Sequence, residues 1–267
     1  MSELVSIEIR DGIADVRLNR PEKYNALSRD MFSAIIDAGE SLAAEKGVRV
    51  AVLSGNGRGF CAGLDMQSFA GMADSGSGQA GAALLERDER PENFAQRPAY
   101  VWKTLPVPVI AAIHGVAYGG GLQIALGADI RIAAPEARFS VMEIKWGLIP
   151  DMSLTQTLRD LVALDVAKEL TFTGRVFTGE EAEKLGLVTR LAEDPLAAAM
   201  TLAEEIAGKS PRAIRAAKTL FEESWHADAR SGLTLESSLQ TELIGSPDQV
   251  EAVKANFENR PPAFRDA

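Results

Sequence analysis

One cysteine and two histidines are all that this 267-residue chain holds of the side chains that most often ligate transition metals or act as thiol nucleophiles. The lone Cys61 excludes an intrachain disulfide and fits a reducing compartment. A nucleophilic cysteine needs a histidine base. Neither His114 nor His226 has recognisable partners, so Cys61 reads as a small buried hydrophobe. The same scarcity makes a metal site an unsuitable expectation. Positive charge is also short: 28 Lys and Arg stand against 38 Asp and Glu, for a net charge of -10. General nucleic-acid binding, which replaces counterions with basic patches, is therefore not expected. No apolar run approaches the ~20 residues that span a bilayer, and residues 1–10 alternate without the apolar core of a signal peptide. The expectation is a cytoplasmic protein that touches neither membrane nor nucleic acid.

What the chain does have is an average globular composition, 46% hydrophobic and 25% charged. Residues 5–10 and 13–19 alternate around Asp11-Gly12, a hairpin signal. Ser28 is placed to cap a helix running to about Ala44, with Met31, Ile35, Ala38 and Leu42 on one face. Buried strands are predicted over 50–53 and 107–113, an apolar helix over 120–126, and short strands over 130–133 and 139–141. From residue 154 the pattern turns helical: 154–161, 166–170, 180–185, 196–207, 212–223 and 249–257. Strands alternating with helices predict an α/β core over residues 1–195, and residues 196–267 read as a helical appendage serving assembly. Residues 68–98 are the least regular stretch, read as a lid or an insert. The charged run 86–90 within it reads as a solvated helix face.

Two glycine-rich turns each follow a buried strand: 57–65, GRGFCAGLD, and 114–121, HGVAYGGG, which opens a helix. Glycine lets backbone approach a ligand closely, and a helix start offers unpaired N–H groups. Such turns bind phosphate or a developing oxyanion, or simply pack tightly. No Lys-Ser or Lys-Thr follows either turn, and no GxGxxG opens a nucleotide-binding unit.

In combination these segments resemble the enoyl-CoA hydratase/isomerase, or crotonase, family. The resemblance rests on 18–27 (LNRPEKYNAL), 61–65, 108–115 (PVIAAIHG), 118–121, 171–175 (TFTGR), 181–188 (EAEKLGLV) and 210–218 (SPRAIRAAK). It implies a spiral of ββα units with a C-terminal helical region that builds trimers, often paired into hexamers. It implies an acyl-CoA substrate whose coenzyme A is part of the substrate, with no separate cofactor. The oxyanion-hole donors implied are the N–H groups of Leu64 and Gly120. The implied CoA contacts are Lys23, Ala26, Ala62 through its carbonyl, Asp65 and Met66, with Tyr118 as pocket wall. Lys254 is either a partner for CoA phosphates or part of a solvated helix face.

The family's hydratases use two glutamates. The second matches Glu143; at the position of the first stands Gln123. An amide neither gives nor takes a proton usefully at neutral pH, although it can hold a water or a substrate atom. Isomerisation needs less, since one carboxylate can take an α-proton and return it further along the chain. Asp151 stands where the family's hydratases carry glycine and its dienoyl-CoA isomerases an aspartate; alternatively it caps the helix that follows. Double-bond isomerisation with Glu143 as acid/base and Asp151 as partner is the expected activity. Hydration, and acyl-CoA binding without catalysis, are the alternatives.

Overall fold

The computed structural model describes residues 4–65 and 84–265. Strands β1 (Val5–Arg10) and β2 (Ile13–Leu18) form the expected antiparallel hairpin. Asp11 and Gly12 turn it with positive φ, 51° and 79°, the primed geometry that matches strand twist. Along the chain follow β3 (Val50–Gly55), β4 (Val109–Ile113), β5 (Val116–Tyr118), β6 (Ile130–Ala133), β7 (Arg138–Ser140), β8 (Phe177–Thr178) and β9 (Arg190–Leu191). The larger sheet runs β1-β2-β3-β4-β6-β9, parallel from β2 onward. The smaller runs β5-β7-β8. Each turn of the chain thus leaves a strand in the large sheet, places one in the small sheet and returns by helix. The sequence β4, β5, helix Gly120–Leu126, β6, β7 shows this ββα spiral directly.

β3 and β4 are apolar along most of their length because both faces are covered, as parallel sheets require. Ala51, Leu53, Val109, Ala111 and Ile113 face the main core, beneath helices Arg29–Ala44, Arg97–Thr104 and Gly120–Leu126. Their alternates Val50, Val52, Ile110 and Ala112 face helix Pro195–Ala207, whose Ala199, Ala203 and Ala207 lie one turn apart on the sheet. That helix is therefore part of the core, and the boundary drawn at residue 195 does not divide the packing. Beyond it, helices Pro211–Ser224, Ala229–Leu243 and Pro247–Phe257 expose Phe221, Leu233 and Phe257, and Trp225 and Ile244 just past the first two are exposed as well. Lys218 anchors the first of them, donating to Asp129 Oδ2 (2.8 Å) and to the carbonyl of Val107 (3.0 Å) at the foot of β4.

Several expectations change. The helix expected over 154–161 is the single turn Leu154–Thr157. Residues 86–90 are exposed but not helical; the Asp88 carboxylate accepts from Arg90 N (2.8 Å), holding a turn before Pro91. Helices Arg97–Thr104 and Ala229–Leu243 were not anticipated. Residues 68–83 of the 68–98 stretch, together with Met66, lie outside the described residues. Its remainder is tied down: Asn93 donates to the Leu84 carbonyl (2.7 Å), and Phe94 stacks on Phe32 with centroids 5.9 Å apart.

Asn25 joins the hairpin to the first glycine-rich turn. It is fully buried with φ of 56°, and its Nδ2 faces the carbonyls of Asn56, Gly59 and Phe60, each at 3.0 Å. Its Oδ1 accepts from Arg20 N (2.8 Å). Asn25→Ala strands these buried carbonyls and removes a side chain suited to left-handed backbone. The expected loss is about 3 kcal/mol of unfolding free energy, measured by urea denaturation; a loss below the error of the titration would show that the carbonyls find other partners.

Candidate active site

Three chain segments run in parallel and end at one place. Cys61 pairs with Ala117, and β5 pairs with β7. Cys61 N donates to Val116 O (2.9 Å), Tyr118 N to Cys61 O (3.0 Å) and Gly119 N to Ser140 O (2.9 Å). The residues just past the three ends are 62–65, 119–120 and 143. Leu64, Gly120 and Glu143, widely separated in sequence, are brought to one mouth.

The first turn is braced from the side of Tyr24–Leu27. Ala62 N donates to Tyr24 O (2.9 Å), Leu27 N to Gly63 O (2.8 Å) and Asp65 N to Leu27 O (3.0 Å). Pairing through Gly63 O and Asp65 N turns the intervening Leu64 N–H the other way. Among the described residues none accepts from it. Gly63 has φ of 84°, and a Cβ there would lie 2.6 Å from Tyr118 O and 3.7 Å from Gly120 N, so only glycine lets the two turns meet. At the second turn Gly119 precedes the helix with φ of 51°, and no side chain caps it. Gly120 N–H likewise has no described acceptor. Two N–H groups without an acceptor among the described residues therefore sit on adjoining turns.

Glu143 opens a short 3-10 turn after β7 and is half-buried. A Cβ on Gly119 would come within 3.2 Å of its Oε1, so the carboxylate lies directly against the second glycine turn. Gln123 Nε2 donates to Oε1 (2.6 Å), whereas Oε2 is buried without a hydrogen-bond partner among the described residues. Burial pushes the Glu143 carboxyl above its ordinary range; the Gln123 bond opposes this, and the negative charge of Asp151 adds to it. Asp151 is itself raised by desolvation, although the residue keeps contact with solvent. It does not cap the following helix: Ser153 occupies that position, with φ of 70° and its hydroxyl donating to Gln96 O (3.1 Å).

Gln123 is 1% exposed, and its Oε1 accepts from Met152 N (2.8 Å). Both ends of the amide are engaged by protein. Of the expected CoA contacts, Ala26, Ala62 and Asp65 come together around the first turn. The Asp65 carboxylate is turned to Arg20 Nη1 (2.6 Å), which also donates to Ala26 O (3.1 Å). Lys23 is exposed at the end of the turn Pro21–Lys23, and Tyr118 is half-buried in β5. Cys61 is fully buried, its thiol pushed up to about 12 and donating to Asn25 O (3.1 Å), which suits a packing role. Sequence reasoning missed Asn25 and Arg20 as braces of the site. The preference of asparagine for left-handed backbone was the one available signal.

Among known proteins, the mouse methylglutaconyl-CoA hydratase, mitochondrial, is 33% identical over 261 residues, covering 95% of this chain and 80% of its own length. The Arabidopsis thaliana Delta(3,5)-Delta(2,4)-dienoyl-CoA isomerase, peroxisomal, is also 33% identical, covering 98% and 96%. The crystal structure of enoyl-CoA hydratase from Bacillus anthracis superposes with a TM-score of 0.88 at 31% identity, covering 98% of each chain. No described helix is long and apolar enough to cross a membrane. Residues 8–267 match the family described as Enoyl-CoA hydratase/isomerase, and with the ββα spiral and its converging turns this chain belongs to that family of acyl-CoA enzymes.

Proposed function

We propose that the chain isomerises a double bond in an enoyl- or dienoyl-CoA, with Glu143 as the acid/base group. The observation that carries this reading is the Glu143 carboxylate set against the Gly119 turn, whose neighbour Asp151 is a second carboxylate while the buried Gln123 is an amide. The thioester carbonyl sits between the N–H groups of Leu64 and Gly120, which stabilise an enolate as an oxyanion hole. The Glu143 carboxylate takes a proton from the α-carbon, and the electron pair moves onto the carbonyl oxygen. The conjugated enolate is then reprotonated at the γ-carbon of a 3-enoyl chain or the ε-carbon of a 3,5-dienoyl chain. Asp151 is the second proton station for the longer transfer. CoA runs along Lys23, Ala26, Ala62, Asp65 and Met66, with Tyr118 as wall. The exposed apolar side chains of the three C-terminal helices pack a homotrimer or a dimer of trimers.

The relative named a dienoyl-CoA isomerase supports this reading. The relative named a hydratase favours a second, in which water adds to 2-enoyl-CoA. Hydration needs one group to activate water and a proton delivered to the α-carbon, and Gln123 supplies neither.

Purified protein offered 3-enoyl-, 3,5-dienoyl- and 2-enoyl-CoA separates the two. Migration of the double bond in the first two, followed by absorbance and product analysis, is expected. Conversion of 2-enoyl-CoA to 3-hydroxyacyl-CoA with no migration would sink isomerisation. Glu143→Gln is expected to lower kcat by about 10²–10⁴-fold; unchanged turnover removes Glu143 from the mechanism. The base works ionised and its carboxyl is raised by burial. Activity should therefore rise with pH on a limb above the ~4.3 of a free glutamate, and a limb at or below that value contradicts the assignment.

A further inference from the structure

Gln123 has almost no surface with which to meet a substrate. A glutamine amide is a donor at one end and an acceptor at the other, and each end here faces its complement. Nε2 donates to the Glu143 carboxylate at 2.6 Å, and Oε1 accepts from the backbone N–H of Met152 at 2.8 Å. Met152 adjoins Asp151, and Ser153 holds that segment to Gln96. A chain of three hydrogen bonds therefore runs from Glu143 through Gln123 and the segment carrying Asp151 to the foot of helix Arg97–Thr104. A glutamate at 123 would meet Met152 N–H equally well, but it would face Glu143 as a second carboxylate unless it carried a proton.

We infer that Gln123 is a positioning residue. It pins Glu143 Oε1 beside the Gly119 turn, and it ties that carboxylate to the segment bearing Asp151. The inference rests on the proposed role of Glu143 and adds the residue that orients it. The groups around Glu143 fit this. Helix Gly120–Leu126, which carries Gln123, has no charged residue. Helix Leu164–Thr173, packed against the 143–146 turn, carries Asp165 and Lys168, both exposed, and Glu169, paired with Arg175. Asp151 remains as the charge acting on Glu143, and the Gln123 bond opposes its effect.

Two variants move the pH profile in opposite ways. Gln123→Leu removes both bonds at similar volume. The expected result is a fall in kcat of about 10²-fold with KM little changed, and an acid limb moved to higher pH because the donor favouring the ionised carboxylate is gone. Gln123→Glu places two carboxyls within hydrogen-bond reach, and they share one proton. Singly protonated, the new carboxyl reproduces the amide's donor and acceptor, so the variant keeps activity at low pH. It loses activity as the shared proton leaves, on a limb the parent lacks. A parental kcat and limb in Gln123→Leu would overturn the inference, and so would a gain of 2-enoyl-CoA hydration in Gln123→Glu, which would mean that position 123 reaches substrate.

One readout needs no turnover. Carbon-13 NMR of protein labelled at the glutamate carboxyls, with Glu143→Gln for assignment, should show the Glu143 midpoint higher in Gln123→Leu than in the parent. An unmoved midpoint overturns the inference. A moved midpoint in a protein that isomerises no acyl-CoA leaves the inference standing and removes the proposed function.

Discussion

Parallel pairing of three short backbone segments is the constraint on which the site depends. Cys61, β5 and β7 are held side by side by main-chain hydrogen bonds, so their carboxyl ends finish together. Parallel strands need long crossover connections, and here those connections are the strands of the large sheet and the covering helices. The large sheet is thus a scaffold that spaces the small one. Apolar burial on both of its faces fixes the register on which Leu64, Gly120 and Glu143 meet.

At that meeting point electrostatics takes over from packing. Glu143 is desolvated and adjoins another carboxylate, and its own backbone N–H and the Gln123 amide relieve it. Such an environment raises a carboxyl above its ordinary range. The neutrality of Gln123 matters more than its bulk. It lowers the cost of the ionised form without adding a charge that would have to be paired elsewhere.

Where local signals were strong, sequence and structure agree closely. Asp11-Gly12 makes the hairpin turn, Ser28 caps helix Arg29–Ala44 by accepting from Met31 N, and helix Gly120–Leu126 has the expected ends. Helix Ala229–Leu243 carries Leu235, Leu239 and Leu243 at helical spacing, but none of its residues is fully buried, and Gly232 and several serines weaken its propensity. β5, β8 and β9 are two or three residues long and exist through pairing with distant partners rather than through any preference of their own. Helix Pro195–Ala207 looked like an appendage because a stripe of alanines has no strong hydrophobic signature, yet small side chains are what let it settle on the sheet. At the site, residue types were legible but directions were not. Gln123 was recognisable as a departure from the two-glutamate pattern. That both ends of its amide turn inward depends on Met152 and Glu143, 29 and 20 positions away.

Asn25 gives this architecture a consequence for how the enzyme comes into being. Its amide gathers carbonyls from residues 56, 59 and 60, and its own carbonyl oxygen takes the thiol of Cys61. Contacts spanning more than thirty residues form only after the intervening chain has collapsed, since loop-closure entropy must be met first. The shape of the first glycine turn therefore depends on residues more than thirty positions earlier, and any change that loosens Asn25 reaches that turn without touching it.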